Sequence, residues 1–261
     1  MAATTGNTKT IAFLGASTGV GLAALTRALT GGHTCIALCR KPSKLTDRFP
    51  AARYPNLRVV EGNAHDVAAV SRCLYVPEEG QLVDAVVSSI GGAFIFSRMT
   101  IDDPEVCEKG AATLVEAIAK VRRQQQEENS NPAAAAWKPR VVVVSSTGLA
   151  RAGRDYPLAM MPMYKFMLKV PHKDKVLMEK AVVDGSSSSS SSGYTYTIVR
   201  PSLLVDDAAP EREVRVGIDD DYVVGYTISR DDTGRWIYEN LLVRDEEKTG
   251  RYENRVATVT W

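Results

Sequence analysis

The feature that most constrains the fold of this chain is a glycine-rich turn close to the N-terminus. A short apolar run at residues 10–14 precedes the turn, and leucines recur at helical spacing after it, so the predicted order is strand, tight turn, helix. Such a turn points backbone N–H groups and the positive end of a helix dipole toward a phosphate. We expect Gly15 to make the sharp turn, Gly19 to let a pyrophosphate approach the backbone, and Gly21 to let the helix pack closely against the strand.

A glycine triplet is a weak signal by itself, and the strand that follows strengthens it. Residues 33–39 form a second apolar run that ends in Arg40 and Lys41, with Lys44 shortly after. In a dinucleotide-binding fold the end of this strand lies beside the adenosine ribose, where a basic side chain accommodates the 2′-phosphate of NADP. The position therefore favours NADP over NAD. A solvated cluster of charges after a strand is the alternative.

Length and charge narrow the classes of protein to which this chain can belong. At 261 residues it suits one large α/β domain, and 32 Lys and Arg against 31 Asp and Glu give a net charge of +1. This balance provides no basic field for nucleic acid or for an anionic membrane. The N-terminus lacks the apolar core of a signal peptide, and no run approaches the ~20 apolar residues that cross a bilayer. These features predict a cytoplasmic protein.

The cysteines are scattered at Cys35, Cys39, Cys73 and Cys107, without the tight pairs that are typical of a metal site. Cys35 and Cys39 fall on one face of the predicted second strand. We therefore expect buried, free thiols and no bound metal.

Small and polar residues end several of the predicted strands. Leu57–Glu61 is followed by Asn63, and Asp66 is placed to cap the next helix. The apolar runs within 83–92 and 140–148 both end in serines and glycine. Continuous apolar runs suit parallel strands covered by helices on both faces, and ligands bind outside the carboxyl ends of such strands. We therefore expect one site along this edge of the sheet.

The remaining segments divide into helices and polar connections. A helix is predicted at 104–121, followed by a polar surface insertion at 122–139. A second helix at 171–183 is predicted to end before a serine-rich flexible loop at 185–193. The segment 202–228 is expected to form a lid on the substrate side of the site.

Methionines and aromatic residues gather in the segment 151–173, which lacks clean periodicity. They either fill an irregular part of the core or form the wall of an apolar substrate pocket, and the sequence leaves both interpretations open. On the helix that follows, His172, Lys175 and Glu179 fall on one face.

Taken in order, the strand, glycine turn, helix, basic strand end and Thr197-Ile-Val-Arg200-Pro201 run resemble the short-chain dehydrogenase/reductase superfamily over nearly the full chain. The Thr-Ile-Val-Arg-Pro strand looks like the atypical, NmrA-like NAD(P)-binding branch, whereas the glycines have the spacing of the classical branch. The polar insertions are similar in style to those of fungal members. The resemblance implies a single α/β domain of the Rossmann type, with a doubly wound, mostly parallel sheet and NADP(H) across its carboxyl edge.

The resemblance also implies roles for individual residues. The pyrophosphate would be held by the residues of the turn, which are Gly15, Ser17, Thr18, Gly19, Val20 and Gly21. Arg40, with Lys41 beside it, would hold the 2′-phosphate, Asn63 would lie near adenine, and Ser89, Ile90 and Gly91 would lie near the ribose and pyrophosphate. Ser145 would lie near the nicotinamide, Lys175 would bind its ribose, and Pro201 and Ser202 would flank its carboxamide.

The main departure from the family concerns the proton donor. Reductases of this superfamily use a tyrosine four residues before the lysine, with a phenol pKa that the cation lowers. Here that position is Pro171, and the nearest tyrosine, Tyr164, lacks the lysine at this spacing. Since the Tyr-x-x-x-Lys dyad is absent, the proton would come from His172, Tyr164 or water, with Lys175 and Ser145 positioning the cofactor and a carbonyl group.

Three functions fit these observations. The first is an NADPH-dependent reductase for a carbonyl, imine or conjugated group of an apolar small metabolite, which suits secondary metabolism. The second is an NADP(H)-binding sensor without turnover, and the third is a catalyst of a non-redox rearrangement or isomerisation. The expected partner is a small apolar molecule rather than nucleic acid or a membrane, and the protein is expected to be a monomer or a homodimer.

Overall fold

The computed structural model describes residues 8–76, 80–95, 100–129, 137–150, 153–187, 193–209, 211–243 and 250–261. The described strands are β1 Thr10–Leu14, β2 Thr34–Cys39, β3 Leu57–Glu61, β4 Tyr75–Val76, β5 Gln81–Leu82, β6 Ala85–Ser88, β7 Phe94–Ile95, β8 Thr100–Ile101, β9 Arg140–Val144, β10 Thr195–Pro201, β11 Leu203–Val205, β12 Arg215–Ile218, β13 Thr227–Ser229 and β14 Arg255–Thr260. The described α-helices are α1 Gly19–Thr30, α2 Ser43–Thr46, α3 Val67–Ser71, α4 Val106–Asn129, α5 Lys169–Ser187 and α6 Arg230–Ile237. A short 3-10 turn lies at Leu158–Met160, and π-helical turns lie at Met163–Met167 and Tyr238–Leu242.

Eight strands form the central sheet, in the order β12-β14-β10-β9-β6-β1-β2-β3. Neighbouring strands run parallel except at one edge, where β12 pairs antiparallel with β14. In this register Leu14 lies between Leu38 and Ser88, so the central strands finish at a common edge. The predicted single α/β domain with a doubly wound, mostly parallel sheet is confirmed.

Apolar layers cover both faces of the sheet. Alternate residues of β1 point to opposite faces: Ile11 and Phe13 pack in the layer that includes α1 and α6, whereas Ala12 and Leu14 pack in the layer that includes α3, α4 and α5. Because both faces are covered, the central strands are buried along their length. This burial explains their nearly continuous apolar sequence.

Helix α4 is longer than the sequence predicted. The prediction of a surface insertion at 122–139 is wrong for its first residues, because the helix continues to Asn129 and buries Arg122 and Gln125. The Arg122 guanidinium donates hydrogen bonds to the backbone carbonyls of Trp137 and Gly193. These tertiary contacts hold a polar sequence in the helix, while residues 130–136 lie outside the described part of the chain.

Two other predicted connections contain regular structure. Helix α5 includes the first serines of the predicted 185–193 loop, since the Ser186 and Ser187 hydroxyls bond to the Val183 carbonyl, and residues 188–192 lie outside the described range. Within the predicted lid at 202–228, β11 pairs with β13 and β12 joins the central sheet. The role of this segment as a lid stays a prediction.

Within the described ranges, no helix combines the length and apolar character needed to cross a membrane, and no group of His, Cys, Asp and Glu side chains is arranged to hold a metal ion. All four cysteines are free and buried, as predicted. Burial raises the pKa of Cys35 and Cys73 to about 12 and that of Cys107 to about 11, which keeps these thiols protonated.

Candidate functional site

Two adjoining cavities lie at the carboxyl edge of the sheet, where the strand ends predicted a site. One, of about 210 Å³, lies beside the ends of β2 and β3, and the other, of about 360 Å³, lies beside the ends of β9 and β10. Ile90, Gly91 and Gly92 line both, so the cavities form one cleft. We refer to its parts as the β2–β3 half, which Arg40 and Lys44 line, and the β9–β10 half, which Ser145 and Lys175 line.

The glycine turn forms a cradle at the middle of this cleft. Gly15 has φ +81° and Gly19 has φ +61°, values that other residues rarely adopt. A Cβ atom added to Gly15 would lie 2.7 Å from the Ser89 carbonyl oxygen, and one added to Gly21 would lie 2.8 Å from the Gly15 oxygen. The cradle therefore needs glycine at these positions, with Gly21 packed beneath the turn.

The N-terminus of α1 opens into this cradle. Its N-cap, Thr18, has an extended backbone and makes no side-chain capping hydrogen bond, and the first turn carries no acidic residue. Thr18, Gly19 and Val20 line the cleft, so the first N–H groups and the positive end of the helix dipole are directed toward it. Such a cradle fits the pyrophosphate of a dinucleotide.

The β2–β3 half is basic. Arg40, Lys41 and Lys44 line it, and Asn63 lies on the loop after β3. The sequence located this cluster from the end of the second strand. Asp66 caps α3 as predicted, because its carboxylate accepts a hydrogen bond from the Ala68 N–H at 2.8 Å. The cations suit an anionic group on a bound adenosine ribose.

Lys175 reaches from α5 to the edge of the sheet in the β9–β10 half. Its Nζ donates hydrogen bonds to the Val144 carbonyl at 2.7 Å and to the Ile90 carbonyl at 3.3 Å. Val144 ends β9 and Ile90 follows β6, so two adjacent strand ends hold the ammonium group at the floor of the cleft. The cation is therefore fixed where a ligand hydroxyl could meet it.

Ser145 belongs to a buried polar network with Glu179 and Arg200. The Ser145 hydroxyl lies 2.5 Å from Glu179 Oε1 and donates to it, and Arg200 donates to both Glu179 oxygens at 2.9 and 2.5 Å. The exposed fractions are 4% for Ser145 and 9% for each of the other two. Burial alone would lower the pKa of Arg200, but the hydrogen bonds and charge of Glu179 outweigh it and raise that pKa. Because its proton is directed to Glu179, Ser145 presents oxygen lone pairs to other partners.

Tyr164 lines the same half from the π-helical turn. Its Oη lies 2.7 Å from Thr147 Oγ1, and its ring stacks on Tyr156 with the centroids 4.2 Å apart. Burial raises the pKa of Tyr164, the hydrogen bond with Thr147 opposes this change, and Asp155 reinforces it. The phenol is therefore protonated near neutral pH.

His172 lies behind Tyr164 and is not among the described residues that line the cleft. The two ring centroids are 5.6 Å apart, and a Cβ atom added to Gly148 would lie 2.6 Å from His172 Cε1. Among the described residues, the buried Nε2 has no hydrogen-bond partner. Burial lowers the pKa of His172 to about 4, so the ring is neutral at physiological pH.

Most of the site residues predicted from the sequence line the cleft. They are Gly15, Ser17, Thr18, Gly19, Val20, Arg40, Lys41, Asn63, Ser89, Ile90, Gly91, Ser145, Tyr164, Lys175, Pro201 and Ser202. Lys44 belongs to the basic cluster predicted after β2, Leu168 to the segment for which a core role and a pocket wall were both open, and Leu203 and Leu204 to the predicted lid; all four line the cleft. Asp102, Asp103 and Arg230 also line it and were not assigned to the site from the sequence. Arg230 had no signal in the sequence, because α6 comes near the glycine turn only in the folded chain.

Comparison with known proteins agrees with this geometry. A family model described as NAD(P)H-binding matches residues 15–243. The reductase pytE of Aspergillus terreus is 36% identical over 268 residues, covering 97% of this chain and 98% of that protein. The oxidase pynE of Aspergillus niger is 31% identical over 281 residues, covering 96% of this chain and 98% of that protein.

Solved structures of low sequence identity share the fold. A short-chain dehydrogenase/reductase from Veillonella parvula in complex with NADP has a TM-score of 0.68 and 15% identity, with coverage of 97% of this chain and 94% of that one. The anaerobillin reductase ChuY from Escherichia coli O157:H7 has a TM-score of 0.60 and 18% identity, with coverage of 96% of both chains. With the family match over most of its length, this chain belongs to the NAD(P)H-binding family of proteins with the short-chain dehydrogenase/reductase fold.

Proposed function

We propose that this protein is an NADPH-dependent oxidoreductase that reduces a carbonyl, imine or conjugated group of a small apolar metabolite. The observation that carries the proposal is the continuity of the cleft, in which a cradle for phosphates lies between a basic half and a half that holds Lys175, Ser145 and Tyr164. The names of the two fungal relatives, a reductase and an oxidase, support redox chemistry and suit a role in secondary metabolism.

The basic half supports NADP(H) as the cofactor. Arg40, Lys41 and Lys44 line it, whereas NAD-binding members of this fold carry an acidic residue for the ribose hydroxyl. Asp102 and Asp103 also line this half, but they come from the segment that precedes α4 and not from the end of β2. A 2′-phosphate beside the end of β2 would therefore meet the three cations.

When bound, the nicotinamide cofactor supplies the hydride. The residues of this chain would then bind the cofactor, orient the substrate and donate a proton to it. Lys175, fixed on the strand ends, would hold a ribose hydroxyl. Ser145 would accept a hydrogen bond from the carboxamide N–H of the nicotinamide, because its own proton is committed to Glu179. The apolar wall of Leu168, Leu203 and Leu204 would exclude water and favour an apolar substrate.

Tyr164 is the side chain we assign as proton donor. It lines the cleft, is protonated near neutral pH, and has its hydroxyl oriented by Thr147. The raised pKa of Tyr164 makes it a weaker acid than a tyrosine beside a lysine, so we expect slow proton transfer and a substrate that accepts a proton readily. His172 is not assigned this proton, because its ring lies behind Tyr164.

The test is oxidation of NADPH by the purified protein with a panel of apolar ketones, imines and enones, followed by single substitutions. Tyr164→Phe should lower kcat by roughly 100-fold or more, with little change in the Kd for NADPH, since a general acid contributes about 10²–10⁴-fold. Tyr156→Phe is the matched control, because this stacked ring does not line the cleft among the described residues. NADPH binding without turnover on any compound would contradict the proposal and support a sensor, and equal activities of the two variants would remove Tyr164 from the mechanism.

A further inference from the structure

Arg230 lies against the glycine turn although it is far from it in sequence. It is the first residue of α6 and lines the same half of the cleft as Thr18 and Gly19. A Cβ atom added to Gly19 would lie 3.4 Å from Arg230 Cδ and 3.9 Å from its Nε. The arginine side chain therefore passes directly beside the backbone that forms the phosphate cradle.

The register of two short strands gives Arg230 an acidic neighbour. In the parallel pair of β11 and β13, Val205 lies opposite Ser229, so the next residues on the two segments, Asp206 and Arg230, come together. Arg230 Nη1 donates to Asp206 Oδ1 at 2.7 Å. The side chains are 39% exposed for Arg230 and 89% exposed for Asp206. An ion pair this exposed is weak and is easily exchanged for another anion.

A cation near the cradle would add charge-assisted hydrogen bonds to those that the N–H groups of α1 offer a dinucleotide pyrophosphate. Among the described residues that line the β9–β10 half, the cations are Lys175 and Arg230. Lys175 is directed to the carbonyls of Val144 and Ile90. The cations of the β2–β3 half line the other cavity, which Gly15 and Ser17 of the turn also line, whereas Thr18, Gly19 and Val20 line the cavity that contains Arg230. This leaves the guanidinium of Arg230 as the group best placed to meet the pyrophosphate.

We propose that Arg230 binds the cofactor pyrophosphate beside the N-terminus of α1, and that Asp206 competes with the phosphates for its guanidinium. The proposal rests on the proposed function only in that it needs dinucleotide binding, and it does not depend on turnover. Binding would exchange the Asp206 contact for charge-assisted hydrogen bonds to phosphate oxygens, which are stronger than an exposed ion pair. Arg230 would thereby connect the segment before β13 to the bound nucleotide.

The first test is titration of the 261-residue protein with NADPH and with NADH, by fluorescence or calorimetry. Arg230→Gln should weaken both nucleotides by the same factor, roughly ten- to a hundredfold, as expected for hydrogen bonds to a charged group. Binding of adenosine 2′-monophosphate, which lacks the pyrophosphate, should not change. Arg255→Gln is the matched control, because Arg255 forms an exposed ion pair with Asp219 away from the residues that line the cleft.

Unchanged affinity of Arg230→Gln for both dinucleotides would overturn the proposal, as would weakening of NADPH alone, which would indicate a contact with the 2′-phosphate. Failure of the wild-type protein to bind either nucleotide would refute the proposed function as well. Tight binding with no turnover would refute the proposed function alone and leave the role of Arg230 supported or overturned by the same titration.

Asp206→Asn tests the competition. Releasing Arg230 should tighten NADPH binding about two- to fivefold at low salt, the size of an exposed ion pair. In the Arg230→Gln background the same substitution should change nothing. Tightening that persists without Arg230 would show simple repulsion between Asp206 and the phosphates and would refute competition, and weaker binding of Asp206→Asn would show that the carboxylate positions the arginine instead.

Discussion

In the β2–β3 half of the cleft the cations Arg40, Lys41 and Lys44 are exposed to solvent. In the β9–β10 half, Ser145 belongs to a buried network in which Ser145 and Arg200 both donate to Glu179. The exposed group comes from one strand end and the short helix that follows it. The buried group brings together α5 and the ends of β9 and β10. The exposed cations of the first half are available to attract an anion. In the second half, the buried network fixes the direction in which the Ser145 hydroxyl donates its hydrogen bond.

Because of this difference, we expect the exposed cations to contribute to ligand binding and the buried network to contribute to the stability of the fold. An exposed cation can be replaced with little effect on the fold, because water solvates both states of the chain. A buried ion pair holds its neighbours in place, and removing one partner leaves an uncompensated charge in the interior. We therefore expect substitutions in the two halves to affect different measurements, and two experiments test this expectation. A third concerns His172, which lies outside both halves.

The largest effect should come from Arg200→Met. It leaves the Glu179 carboxylate buried with the Ser145 hydroxyl, so the free energy of unfolding should fall by about 3–5 kcal/mol. Urea unfolding measures the change, and Arg40→Met, in the exposed half, should alter stability by no more than about 0.5 kcal/mol. The double variant Glu179→Leu/Arg200→Met should regain much of the loss, because no unpaired charge remains. Similar losses for Arg200→Met and Arg40→Met would contradict the distinction between the halves.

An intermediate effect is expected on cofactor preference. Arg40→Gln should weaken NADPH binding by roughly ten- to a hundredfold, equivalent to about 1.5–3 kcal/mol, with NADH binding unchanged. Lys44→Gln should act in the same direction and less strongly, since a lysine makes fewer directed contacts to a phosphate than an arginine. Titrations with both nucleotides give the ratio. If Arg40→Gln binds NADPH as tightly as wild type, the basic half does not select the 2′-phosphate.

The smallest effect is expected on the pH dependence of the free energy of unfolding, to which the neutral ring of His172 contributes. The pKa of His172 is about 4 in the folded chain and about 6.5 when exposed, so the unfolded chain takes up the proton first. This contribution to stability is fully present above pH 6.5 and is lost as the pH falls from 6.5 toward 4. At pH 5 we expect a loss of about 1–2 kcal/mol relative to pH 7, measured by urea unfolding.

His172→Gln should remove this part of the pH dependence, because glutamine does not titrate. A variant with the same slope of stability against pH as the wild type would show that the ring is accessible to protons in the folded state. That result would return His172 to the candidates for proton donor.

The fold class and the order of the main strands and helices could be predicted from the sequence, because the patterns that determine them are local. The apolar runs, the glycine turn and the basic end of β2 each lie within a few consecutive residues, and alternation along β1 follows from covered faces. Local patterns failed where a distant contact decided the outcome. The polar residues after 121 predicted the end of α4, but the carbonyls of Trp137 and Gly193 hold Arg122 in the helix.

The sequence by itself determined the family, the glycine turn, the basic strand end and the absence of the Tyr-x-x-x-Lys dyad, since each of these is a property of residue type and spacing. Only the tertiary structure decided that His172 lies behind Tyr164, that the Ser145 proton points to Glu179, and that Arg230 lies against Gly19. These outcomes depend on the direction of side chains from segments far apart in the chain. Such directions are fixed when helices pack on the sheet, and no spacing in the sequence records them.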